Sequence, residues 1–188
     1  KRLVPHRALP PYAYIPGRTP HPVSDPLGHQ YGVLPVRIKS SPGSTAWAEE
    51  FLFGVDLWQQ GFYWEAHETW EGLWHAVGRT GSWGDLLKGL IKLAAAGVKA
   101  REGRREGVGR HATRAAQLIR VAKSRWDPTD LPLPTWNWPD LLTNIESVAA
   151  NPVTDVTPDP GGYPVWDWLI LASDDQPTPM DSADTPVS

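Results

Sequence analysis

The sequence contains no cysteine among its 188 residues. A disulfide framework, a thiolate zinc site and a cysteine nucleophile are therefore excluded. No apolar run approaches the roughly 20 residues that a membrane-spanning helix needs. The basic start KRLVPHRALPPYAY has no apolar core of the kind found in a secretory signal peptide. We therefore expect a cytoplasmic protein that does not enter a membrane.

Proline is absent from residues 43–127, although nine prolines precede this window and eleven follow it. Because proline lacks the N–H that a helix interior needs, the window should hold the helices. We predict a helical domain over residues 44–150. Residues 1–43 should form an extended Pro-rich arm that packs on this core. Residues 151–188 should form an irregular tail, partly docked near 163–171 and disordered at its end.

Start and stop signals divide the helical domain into segments. Ser44 can cap a first helix, and Gly61 separates it from a second. Ser82, followed three residues later by Asp85, resembles a capping box for a third helix. A fourth helix follows the GRREG turn, and a shorter one is expected near residues 140–150. Short connections favour antiparallel neighbours, so we predict an all-α fold: a small bundle of about four to five helices built from two antiparallel helical hairpins.

The charge is unevenly distributed, although the net charge is only −3. Residues 44–78 contain six acidic residues and no Lys or Arg, whereas residues 84–126 contain eleven Lys or Arg against three acidic residues. The basic second hairpin could bind the phosphates of a nucleic acid, or it could complement the acidic first hairpin. Because no basic arm with stacking aromatics accompanies it, nucleic-acid binding is the less favoured hypothesis.

One helical stretch, GFYWEAHETWEGLWHAVG at residues 61–78, places several polar residues among tryptophans. His67 and Glu71 share a face because they are four residues apart, whereas Glu65 and Glu68 lie further round the helix. The tryptophans are best explained by packing, since the chain contains 11 of them. The stretch therefore supplies four candidate acid–base or ligand residues: Glu65, His67, Glu68 and Glu71.

Three interpretations of these residues remain open. In the first, His67 and Glu71 form a hydrogen-bonded pair in a packed helix. In the second, HETWE holds a divalent metal ion, with His67 and Glu71 as ligands and Glu68 as general base, by analogy with H-E-x-x-H sites. A third ligand would then come from another histidine: His111, His21 or His29. In the third, the carboxylates favour the charged form of His67, which gives a metal-free acid–base or ligand-binding site.

The same stretch resembles the domain of unknown function 309, a family of small helical proteins from bacteria and archaea. The resemblance rests on GFYWEAHETWEGLW at residues 61–74 and LLKGLIKLAAAGVKAREG at residues 86–103, and it covers about residues 46–120. It implies an all-helical fold and no established activity. Lys88 and Lys92 stand where the family often carries glutamine. The signature positions of the family correspond here to Gly61, Glu65, His67, Glu68, Glu71 and Trp74, and to Gly89, Leu90 and Ile91.

Other common chemistries lack their motifs. The sequence contains no G-x-x-x-x-G-K-[ST] phosphate loop and no G-x-S-x-G nucleophile elbow. We therefore predict a ligand- or partner-binding helical module with an acidic, aromatic-lined site on the second helix. The alternative is a metal-dependent hydrolase that uses the His-Glu-x-x-Glu stretch. The partner would be a small molecule or a protein, and the sequence leaves its identity and the oligomeric state open.

Overall fold

The computed structural model describes residues 1–33, 42–126, 137–157, 161–168 and 170. Within these residues the fold is all-α, which confirms the predicted class. Each helix packs against the next one along the chain, so that α1 with α2 forms an acidic hairpin and α3 with α4 forms a basic hairpin. The five helices are α1 (Thr45–Gln59), α2 (Tyr63–Ala76), α3 (Gly81–Arg101), α4 (Arg105–Ser124) and α5 (Trp138–Ala150).

The two predicted helix caps have different outcomes. Ser44 caps α1, because its hydroxyl oxygen accepts a hydrogen bond from the Trp47 N–H at 3.3 Å. The predicted capping box at Ser82 is wrong, since α3 begins at Gly81 and has Thr80 at its N-cap without a side-chain cap bond. The backbone angle φ is positive at Gly78, Arg79 and Gly81. A tight turn therefore sets the start of α3.

Two glycines allow α2 to approach its neighbours closely. A Cβ atom on Gly54 of α1 would lie 2.3 Å from the indole nitrogen of Trp70, and one on Gly97 of α3 would lie 2.3 Å from the Tyr63 ring. Either atom would overlap the aromatic ring, so the neighbouring helices need glycine at these points. The large rings of α2 are thus buried between α1 and α3, and the polar face of α2 points away from this contact.

Tryptophan side chains form much of the core, as the composition predicts. Trp47, Trp58 and Trp70 are each at most 1% exposed. The C-terminal segment 161–168 adds to this core, because the Trp166 ring stacks on the Trp58 ring with 5.9 Å between centroids. The backbone N–H of Val165 also donates to the buried Tyr63 hydroxyl at 2.7 Å.

The arm, residues 1–33, contacts acidic residues of α1 and α2. The buried Asp56 carboxylate accepts hydrogen bonds from the backbone N–H groups of Leu3 and Val4, both at 2.7 Å. Within the described ranges, no ion pair joins the acidic hairpin to the basic hairpin. The arm therefore supplies cations to the acidic hairpin. Arg7 forms an ion pair with Glu50 of α1 at 2.5 Å, and the His6 ring lies 3.0 Å from Glu49.

Several sequence predictions concern features beyond these contacts. None of the helices in the part of the chain described above is long and apolar enough to cross a membrane. The cytoplasmic location stays a prediction, as do the boundaries of the arm, the helical domain and the tail. The expected disorder at the end of the tail falls outside the described residues.

Candidate functional site

The polar face of α2 carries all four candidate residues, in two different environments. Successive residues of an α-helix are turned by about 100°, so Glu65 and His67 lie on nearly opposite edges of this face, with Glu68 and Glu71 between them. Glu65 is only 3% exposed. The side chains of His67, Glu68 and Glu71 are 28%, 43% and 40% exposed. Glu65 is thus buried, and the other three candidates are open to solvent. We call these two parts of the polar face its buried end and its exposed end.

Glu65 is buried because the arm lies over it. Its Oε1 atom accepts a hydrogen bond from the Tyr14 backbone N–H at 2.9 Å and lies 3.3 Å from Nε2 of the buried His29. The Oε2 atom is buried and has no hydrogen-bond partner among the described residues. Burial raises the pKa of Glu65 to about 7 and lowers the pKa of His29. The carboxyl group of Glu65 therefore anchors the arm.

His21 lies at the same end of α2. Its ring packs edge-on against Tyr14 and Trp64, with 4.8 Å and 5.3 Å between centroids. Its Nδ1 atom accepts backbone hydrogen bonds from two following residues of the arm, Val23 and Ser24. Both arm histidines that were named as possible third metal ligands, His21 and His29, are thus engaged around Glu65 and Trp64.

His67, Glu68 and Glu71 converge at the exposed end, and we call these three residues the His67 cluster. Nδ1 of His67 lies 3.3 Å from Glu68 Oε1 and 4.0 Å from Glu71 Oε2. Each side chain offers one potential ligand atom, and these three atoms all lie within 4.8 Å of one another. The 4.0 Å separation exceeds a hydrogen-bond distance, so the His67–Glu71 hydrogen bond of the packed-helix interpretation is not formed.

His111 on α4, the remaining candidate for a third ligand, is not part of this cluster. Burial lowers its pKa, and the positive charges of Lys92 and Arg110 add to this effect.

Lys88 of α3 contacts an aromatic residue of α2. Its ammonium group lies 5.8 Å from the ring centroid of the half-buried Trp74. This is the range of a cation–π interaction.

Sequence reasoning did not single out Asp56, although the structure gives this residue a clear role. The only signal is an acidic residue inside the apolar run FLFGVDLW of α1. A buried carboxylate needs hydrogen-bond donors, and here the start of the arm provides them. An acidic residue in an otherwise apolar stretch therefore indicated a contact with another segment.

Comparison with known proteins assigns part of the helical domain to a family. Residues 51–110 match the family model described as "Domain of unknown function (DUF309)". Neither a curated protein nor a solved structure matches the chain. The matched residues include most of α1, all of α2 and α3 and the start of α4, whereas the arm and the C-terminal segment lie outside the match. Both motifs of the resemblance fall inside it, and residues 51–110 are thus a domain of the DUF309 family.

Proposed function

We propose that this chain is a helical ligand-binding module whose site is the His67 cluster, and that the ligand is a divalent transition-metal ion. The observation that carries the proposal is the convergence of one imidazole nitrogen and two carboxylate oxygens within 4.8 Å of one another. Imidazole with carboxylate ligands suits zinc, manganese and iron. The proposal goes beyond the family match, which names no ligand.

The spacing of the donor atoms supports a shared ion. Ligand atoms that surround a tetrahedral zinc at roughly 2.0–2.2 Å lie about 3.3–3.6 Å apart. The His67–Glu68 separation of 3.3 Å already has this value, and the His67–Glu71 separation of 4.0 Å needs only a small side-chain rotation. Because all three side chains are partly exposed, this rotation disturbs no core packing. His111, which the sequence suggested as a possible third ligand, is not among the three residues of this group.

The arm does not cover the His67 cluster, so the proposed site is open to a ligand. The arm buries Glu65 and packs on Trp64, but the neighbouring Glu68 and Glu71 retain about two fifths of their exposure. Glu68 also contacts the His67 ring, so in the proposed site it is a metal ligand. The hydrolase alternative instead requires Glu68 as a free general base, and the binding role is therefore the better supported one.

The direct test is calorimetric titration of the tag-free, chelator-stripped protein with zinc and with manganese. We expect one ion per chain for the wild type and at least about tenfold weaker binding for Glu71→Gln, which loses a charged ligand. Glu49→Gln is the matched control, because Glu49 also contacts a histidine, His6, at 3.0 Å.

Three results would contradict the proposal. These are the absence of stoichiometric binding by the wild type, equal affinities of Glu71→Gln and the wild type, and equal losses in Glu71→Gln and Glu49→Gln. His111→Ala then distinguishes a three-residue site from a four-residue site, because it weakens binding only when His111 is a ligand.

A further inference from the structure

A second polar site lies where α3 ends and α4 begins. A cavity of about 420 Å³ opens there, which is within the range of roughly 300–1,000 Å³ that is typical of small-molecule sites. It belongs to the basic hairpin and shares no lining residue with the His67 cluster. Its lining consists of Lys99, Arg104, Arg105, Glu106, Gly107 and Arg110.

The cavity has an excess of positive charge. Lys99 and Arg104 both contact the carboxylate of Glu102, at 2.8 Å and 2.9 Å, so their charges are partly balanced. Arg105 and Arg110 form no ion pair within the described part of the chain. Two arginines are therefore available to a ligand, and Glu106 is the one acidic residue in the lining.

We infer that this cavity binds the phosphate group of a small organic phosphate. Arginine suits this ligand because its planar guanidinium group donates two parallel hydrogen bonds to phosphate oxygens. A small molecule fits better than a nucleic acid for two reasons. Glu106 and Glu102 would repel the continuous row of phosphates of a strand, and the cavity lining contains no aromatic residue on which bases could stack.

The test is calorimetric titration with inorganic phosphate, pyrophosphate and adenosine monophosphate at fixed ionic strength. We expect the double variant Arg105→Gln/Arg110→Gln to bind pyrophosphate and adenosine monophosphate at least about tenfold more weakly than the wild type. The matched control is Arg114→Gln/Lys123→Gln, which removes the same charge from exposed positions of α4 outside the cavity lining. This control should keep the wild-type affinity.

A third variant is expected to bind more tightly, a result that a damaged fold cannot produce. Glu106→Gln removes the one acidic residue of the lining and should strengthen pyrophosphate binding by about three- to tenfold. The inference would be overturned by the absence of binding to all three probes in the millimolar range, or by equal losses in the two double variants. It would also be overturned if a single-stranded RNA bound more tightly than the small phosphates and both double variants weakened that binding.

Discussion

The two ends of the α2 polar face show how one motif acquires two roles. Glu65 and the His67 cluster belong to the same seven-residue stretch, EAHETWE, yet Glu65 is 3% exposed whereas Glu68 keeps 43% of its side-chain exposure. The difference arises outside the DUF309 domain, because Tyr14 and His29 of the arm provide the contacts that bury Glu65. Membership of the motif therefore does not determine what a residue does. Its position relative to the arm does.

The largest effect is expected from removing the Glu65 side chain, which holds the arm on α2. Glu65→Ala leaves the Tyr14 N–H and the His29 ring without their shared acceptor, so the free energy of unfolding should fall by about 2–3 kcal/mol. Glu68→Ala, one turn along the same helix, should change it by less than about 0.5 kcal/mol. Urea denaturation of both variants checks the prediction, and equal losses would show that burial does not separate the two ends.

The pH dependence of stability should also distinguish the buried Glu65 from the exposed His67 cluster. Because the pKa of Glu65 rises from an ordinary 4.5 to about 7 on folding, the folded state keeps the carboxyl proton up to a higher pH than the unfolded state does. The contribution of this residue to the unfolding free energy therefore falls as the pH rises from about 4.5 to about 7. The lowered pKa of His29 has the opposite effect, since its contribution is lost as the pH falls below its ordinary value.

Comparison with Glu65→Gln isolates the contribution of the glutamate, because His29 is present in both proteins. Between pH 4.5 and pH 8 this variant should gain about 1–3 kcal/mol relative to the wild type. Denaturant midpoints measured in chelator across this range provide the data. A constant difference between the two proteins would mean that Glu65 does not change its protonation state on folding.

Limited proteolysis tests whether Glu65 holds the arm on the helices. Trypsin should cleave the native wild type slowly at Arg18, because the arm is held by Glu65 and because Arg18 donates to the Val156 carbonyl at 2.7 Å. Glu65→Ala should accelerate this cleavage by about tenfold or more, since cleavage follows the population of the open arm. Glu71→Gln is the control, and equal acceleration in both variants would contradict a specific anchor.

The smallest expected effect is that of Glu71→Gln on stability. Its carboxylate is 40% exposed and lies 4.0 Å from His67, so this variant should change the unfolding free energy by less than about 0.5 kcal/mol. A loss above about 1 kcal/mol in urea denaturation would instead support the packed-helix interpretation.

The fold was largely predictable because its signals are local. The absence of proline between residues 43 and 127 located the first four helices, and Ser44 with an apolar run gave the start of α1. The start of α3 was mispredicted at Ser82, because the sequence pattern of a capping box does not reveal the positive φ angles of the turn before it. Local patterns thus predicted the helices but not every helix end.

The candidate site was only partly predictable because burial depends on distant contacts. The sequence placed His67 and Glu71 on one face of a helix with Glu68 beside them, and ligand atoms of these three residues lie within 4.8 Å of one another in the structure. The burial of Glu65 depends on Tyr14, which is 51 residues away in the chain, and no periodicity within α2 could indicate it. Likewise, the partners of Asp56 at Leu3 and Val4 lie more than 50 residues away.

The measurement that tests the central claim most directly is zinc titration of Glu65→Gln and Glu71→Gln, two isosteric changes on the same helix. The account predicts that Glu65→Gln keeps the wild-type affinity, because the buried residue anchors the arm and does not touch the ion. Glu71→Gln should bind at least about tenfold more weakly. Loss of binding in Glu65→Gln with retention in Glu71→Gln would contradict the separation of the two ends.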